Sequence, residues 1–132
     1  MRLTDYRVLL IDCDGVLIDH HGGIGSHLSV LQQNLPHKMK PQQACLAQYD
    51  AHVEALNPSL PELGFSALHC FAYQQFMQAQ GTPVNWKESL HFARSIVDWP
   101  QYEDAFGALR YLRKFYNIIV RCDREPEDLP PL

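Results

Sequence analysis

Four consecutive apolar residues, Val8, Leu9, Leu10 and Ile11, run straight into the carboxylates Asp12, Asp14 and Asp19 in the stretch RVLLIDCDGVLID, residues 7–19. An unbroken apolar run of this length predicts a short strand buried on both faces, the kind found inside parallel sheets. In open α/β sheets, ligands bind beyond the carboxyl ends of the strands. The stretch therefore predicts a buried strand that carries an acidic side chain at its tip. A second apolar run, Ile118, Ile119 and Val120 in NIIVRCD, also ends in an acid, Asp123. Two apolar strands joined by helix predict a βαβ unit and a parallel sheet.

Helical spacing dominates the segment between them. HHGGIG, after Asp19, predicts a glycine-rich turn. Ile24, Leu28, Leu31 and Leu35 then recur on one face, with Ser26 as the expected cap and Pro36 as the stop. Cys45, Tyr49, Val53 and Leu56 line a helix over 41–56, and NPSLPEL breaks it. Leu68, Phe71, Ala72, Phe76 and Ala79 repeat the pattern over 65–80. Asn85 with Glu88 forms a capping box before Trp86, Leu90, Ala93 and Val97. A last helix over 103–115 leads into the second strand. These helices are too many for one crossover, so most of them form an inserted cap. Their apolar stripes are expected to be core.

Charge and composition narrow the function. A net charge of −4 with no basic stripe offers nothing to neutralise phosphates, which argues against nucleic acid. No apolar run approaches the roughly 20 residues of a membrane span, and the opening MRLTDYRVLL is too broken for a signal peptide. A cytoplasmic location is the expectation. Cys13, Cys45, Cys70 and Cys122 make no C-x-x-C pair, so neither a disulfide framework nor a zinc site is expected. His20 and His21 are adjacent and cannot share the i, i+4 face of a zinc helix; they are expected as solvated loop residues.

VLLIDCDGVLID resembles the first motif of the haloacid dehalogenase-like (HAD) hydrolases: four apolar residues, Asp-x-Asp-Gly-x-Leu and a further Asp. The rest, through VDWPQYEDAFGALRYLRKFYNIIV, is similar to the type II 2-haloacid dehalogenases, and the likeness covers residues 3–124. It implies a partial Rossmann-like α/β core with two parallel strands over 1–19 and 98–124, a helical cap over 20–97, and an irregular tail over 125–132. Asp12 would be the nucleophile, forming a covalent aspartyl intermediate. Asp14 occupies the place of the general acid/base of phosphatase members, and both acids would hold Mg²⁺. Gly15 would permit the tight loop after the strand. Cys122 and Asp123 fall where substrate-binding Ser or Thr and Asn usually stand.

Departures from the family pattern bear on the substrate. Close dehalogenase members have Tyr in place of Asp14 and Thr in place of Val16. Halide leaves without a proton, whereas the alkoxide of a phosphate ester needs an acid, so Asp14 tilts the expectation toward phosphate esters. Mg²⁺ is the implied cofactor for a phosphatase, and none for a dehalogenase. The cap arginine of dehalogenases has no counterpart, since no arginine lies between Arg7 and Arg94. Family members continue into strands bearing a catalytic lysine and a final acidic motif. The chain stops before both, and Lys114 lies in the helix before the second strand. The resemblance therefore implies a shortened, impaired hydrolase acting on a small molecule. The alternative is a non-catalytic remnant whose bare sheet edge pairs with a second copy. Four strand residues fully buried would contribute about 6–12 kcal/mol, as large as a typical domain's whole stability, and two strands alone forfeit much of that.

Overall fold

The computed structural model describes residues 2–35, 37 and 40–130. Strands β1 (Val8–Asp12) and β2 (Asn117–Arg121) pair in parallel, with Val8 opposite Asn117 and Asp12 opposite Arg121. Among the described residues, six α-helices lie between them: α1 (His20–Gln33), α2 (Gln42–Leu56), the single turn α3 (Leu60–Leu63), α4 (Phe65–Ala79), α5 (Trp86–Arg94) and α6 (Ala105–Leu112). The mixed α/β architecture with an inserted helical region is the one the sequence predicts. Pro36, the expected helix stop, lies outside the described residues.

The HHGGIG segment is helix, not turn. It forms the opening of α1, and the cap is Asp19, whose Oδ1 accepts from the Gly22 N–H at 2.9 Å, rather than Ser26. The glycines serve close approach. A Cβ on Gly23 would overlap the Trp99 ring, and one on Gly25 would overlap the Gln42 side chain. Glycine in a helix interior costs about 1 kcal/mol relative to alanine, but at Gly23 the Trp99 ring leaves no room for a side chain. The capping box of α5 is as expected: Glu88 N–H donates to Asn85 Oδ1 at 2.9 Å, and Asn85 N–H to Glu88 Oε2 at 3.3 Å.

The core sits among the helices. α4 packs against both α2 and α5, and α1 against α2. Ile24, Tyr49, Phe76, Met77, Phe92 and Ile96 are buried there, together with Cys13 and Ile18 from the loop after β1. Tyr73 and Phe92 stack with centroids 4.2 Å apart. All four cysteines are free thiols, three of them buried.

The sheet departs from its expectation of burial on both faces. Exposure alternates along β1 and β2: Leu9, Ile11, Ile118 and Val120 are half-buried, whereas Val8, Leu10 and Ile119 are 51%, 60% and 54% exposed. The physical reason is that a two-stranded sheet has one face against the molecule, and nothing among the described residues covers the other.

Candidate active site at the strand tips

Backbone geometry at the end of β1 is tightly determined. Cys13 N–H donates to Arg121 O at 3.0 Å, extending the ladder by one step, and Cys13 O accepts from the N–H groups of Val16, Leu17 and Ile18. Gly15 turns the chain with φ +85°, a left-handed conformation that favours glycine, and its N–H donates to Ile18 O at 2.8 Å. Asp19 N–H then donates to Pro100 O at 2.8 Å, tying the loop to the segment that leaves the helical region.

Asp12 and Asp14 leave this loop in different environments. Asp12 is solvent-exposed, with Oδ1 3.1 Å from Arg121 Nε across the sheet; both side chains of that pair are more than half exposed. Asp14 is enclosed. Arg124 donates through Nε to Oδ2 at 2.9 Å and through Nη2 to Oδ1 at 2.5 Å, a bidentate pair. The remaining terminal nitrogen, Nη1, donates to Ile96 O at 3.1 Å and to Asp128 O at 2.9 Å. The Arg124 side chain is wholly buried, its guanidinium carbon 5.5 Å from the Phe65 ring centre and 5.6 Å from that of Trp99. Burial alone would lower its pKa, but the hydrogen bonds and charge of Asp14 override this and raise it.

Behind Asp14 lies a buried polar pair. Burial pushes the Tyr49 phenol well above its ordinary pKa and holds the His69 imidazole neutral, with a pKa of about 4. The phenol therefore donates and His69 Nδ1 accepts, at 2.5 Å. His69 also lies against Phe65 and Trp99.

The other predicted residues fall as follows. Cys122 is half-buried against the core, and its thiol is hydrogen-bonded to that of Cys13. Burial, followed by this bond, pushes the Cys13 thiol up to about 12, which favours its protonated form. Asp123 is exposed just past β2. Lys114 lies over the Tyr111 ring, 5.9 Å from its centre, on the α6–β2 connection. Neither Arg121 nor Arg124 was anticipated as part of the tip. The tail over 125–132, expected to be irregular, contains a 3₁₀ turn at Pro126–Asp128 that supplies a carbonyl to Arg124.

Mg²⁺ demands near-octahedral oxygen ligands, one or two of them carboxylates. Here each candidate carboxylate faces a guanidinium group, and the donors grouped with Asp14 are the Cys13 and Cys122 sulfurs. This donor set does not fit Mg²⁺.

No protein-family model matches the chain, and no relative is found among curated proteins. Solved structures do match. A defluorinating L-2-haloacid dehalogenase, Rha0230, superposes with a TM-score of 0.72 at 17% identity, over 93% of this chain and 53% of its own. The L-2-haloacid dehalogenase of Xanthobacter autotrophicus with chloropropionic acid covalently bound gives 0.69 at 13%, over 92% and 48%. A proposed HAD-hydrolase, YfnB of Bacillus subtilis, bound to magnesium, gives 0.66 at 16%, over 93% and 56%. The class the fold defines is α/β with an inserted helical region. More particularly, it is the fold of the HAD-like hydrolases, as the opening motif led us to expect, and the chain spans about half the length of the structures it matches.

Proposed function

We propose that this chain carries the nucleophile-bearing part of a HAD-like hydrolase and acts through Asp12 on a small 2-haloacid. One observation carries the choice of substrate. The carboxylate placed to protonate a leaving group, Asp14, has both oxygens held by a buried arginine. An ionised, fully paired carboxylate donates no proton, so a phosphate ester with an alkoxide leaving group is poorly served. A halide needs no proton. The Arg124 pairing thus favours the haloacid reading over the phosphate-ester reading that Asp14 alone suggests.

In this reading an Asp12 carboxylate oxygen attacks C2 of the 2-haloacid. The C–O bond forms as the carbon–halogen bond breaks, and halide leaves with the electron pair. Water then attacks the Asp12 carboxyl carbon and the acyl–oxygen bond breaks; one water proton goes to the departing oxygen of the 2-hydroxy acid and the other to solvent, regenerating the carboxylate with one oxygen from water. Arg121, exposed and 3.1 Å from Asp12, supplies a positive charge beside the nucleophile that would attract the substrate carboxylate. The chemistry requires no metal.

Halide release from L-2-chloropropionate by the purified chain tests this. We expect release without added Mg²⁺, abolished by Asp12→Asn and retained in Asp14→Asn. Mg²⁺-dependent hydrolysis of an alkyl phosphate that requires Asp14 would overturn it.

The exposed apolar face of the sheet favours a second reading, self-association without turnover. Val8, Leu10 and Ile119 form a patch of a kind that invites pairing. Concentration-dependent sedimentation that disappears in the double variant Leu10→Lys/Ile119→Lys, in a chain releasing no halide, is the outcome that reading expects.

A further inference from the structure

Beside the strand tips, on the junction of α1 and α2, lies a cluster that the hydrolytic reading does not use. His20 and His21 open α1, and Asp50 lies in the middle of α2. A ring nitrogen of each histidine and a carboxylate oxygen of Asp50 all lie within 4.8 Å of one another. His21 Nε2 is 2.7 Å from Asp50 Oδ2, and the two imidazoles are 4.2 Å apart at their centres. The adjacency that argued against a helical zinc motif is bypassed, because the third donor comes from another helix.

From this geometry we infer a binding site for one divalent transition-metal ion, of the zinc type, held by His20, His21 and Asp50. Tetrahedral zinc binds nitrogen and oxygen donors at about 2.0–2.2 Å, which places the donors of one ion about 3.4 Å apart. His21 Nε2 and Asp50 Oδ2 stand closer than this, at 2.7 Å, and all three donors lie within 4.8 Å of one another, so side-chain rotations would complete the set. Two imidazoles and one carboxylate select zinc or cobalt over magnesium or calcium, which prefer oxygen alone. Three protein donors leave a fourth position for water.

His20 supports the inference independently. Its Nδ1 is buried and has no hydrogen-bond partner, so ligation through that atom sacrifices no existing bond. The ring also rests on the catalytic loop: a Cβ on Gly15 would lie 3.4 Å from His20 Cε1. A cation bound here would place positive charge at the loop that carries Asp14. His21 and Asp50 are each 44% exposed, which gives an ion access from solvent.

The test is titration of the untagged full chain with Zn²⁺ by calorimetry and with Co²⁺ by visible absorption. We expect one ion per chain and Co²⁺ d–d bands that Zn²⁺ displaces. His21→Ala and Asp50→Asn should each weaken binding by about tenfold or more, while His37→Ala, outside the cluster, leaves it unchanged. Circular dichroism confirms that each variant is folded. Absence of stoichiometric binding would overturn the inference. So would affinity unchanged in both variants, or a Co²⁺ spectrum with thiolate charge-transfer bands, which would place the ion at Cys13 and Cys122 instead.

Discussion

The helical region and the two-stranded sheet are built from similarly apolar sequence, yet they end in opposite states. Phe76, Met77, Phe92 and Ile96 are sealed among the helices, while Val8, Leu10 and Ile119 stand more than half exposed. A helix buries a stripe and can find partners among its sequence neighbours. A parallel strand needs layers on both faces, and the described residues supply one. The site lies on the seam: the helical side contributes Ile96 O, Phe65 and Trp99 around Arg124, and the sheet side contributes Asp12 and Asp14.

Matched truncations break or sharpen this contrast most strongly. Phe92→Ala is expected to cost about 3–5 kcal/mol in urea denaturation, the range for emptying a packed aromatic site. Ile119→Ala should cost less than about 1 kcal/mol, because most of its side chain is already in water. Equal losses would mean that the sheet face is covered in solution.

Next in size is the seam itself. Arg124→Ala removes the buried cation that pairs with both oxygens of Asp14, leaving that carboxylate uncompensated at a loss of about 3 kcal/mol. Arg124→Lys should recover part of it, since an ammonium cannot make the bidentate pair. A double variant Asp14→Ala/Arg124→Ala less destabilised than Arg124→Ala alone would identify the stranded charge as the cause.

Acid sensitivity belongs to the helical side. His69 titrates at about 4 when folded, against 6.5 for an unperturbed histidine. The unfolded chain therefore binds the extra proton between those values. The resulting contribution, about 3 kcal/mol, is fully present above pH 6.5 and is lost as pH falls to 4. His69→Gln, which keeps an acceptor for Tyr49, should flatten that part of the stability profile relative to the parent chain.

The smallest effect is expected on the exposed sheet. Arg121→Ala removes an ion pair with both partners largely in water, worth about 0.2–1 kcal/mol and weakened by salt. Its larger consequence should be a raised KM for the haloacid, measured by halide release.

Much of this architecture is legible in the residues themselves, where the signal is local. The apolar run before Asp12, the stripe through Leu68, Phe76 and Ala79, and the Asn85–Glu88 box each declare their element over a few positions. What was missed is long-range. Glycines in HHGGIG suggest a turn until Trp99, 76 positions beyond Gly23, is seen packed against that helix. Arg124 lies in a tail with no periodicity, and its partner is 110 positions away. The alternation within β1 was hidden for a related reason, because an all-apolar run does not say how many layers will cover it. His20 and His21 looked like loop residues until α2 brought Asp50 to them.

The central claim is that Asp12 attacks the substrate while Asp14 is held out of the chemistry by Arg124. It is tested most directly by a single-turnover reaction with L-2-chloropropionate in ¹⁸O-labelled water, followed by mass spectrometry of the peptide containing Asp12. The account predicts one ¹⁸O in the Asp12 carboxylate of the parent chain and of Asp14→Asn, and none in Asp12→Asn. Label found only in the released 2-hydroxy acid, with Asp12 unlabelled, would mean that water attacks the substrate directly and would contradict it.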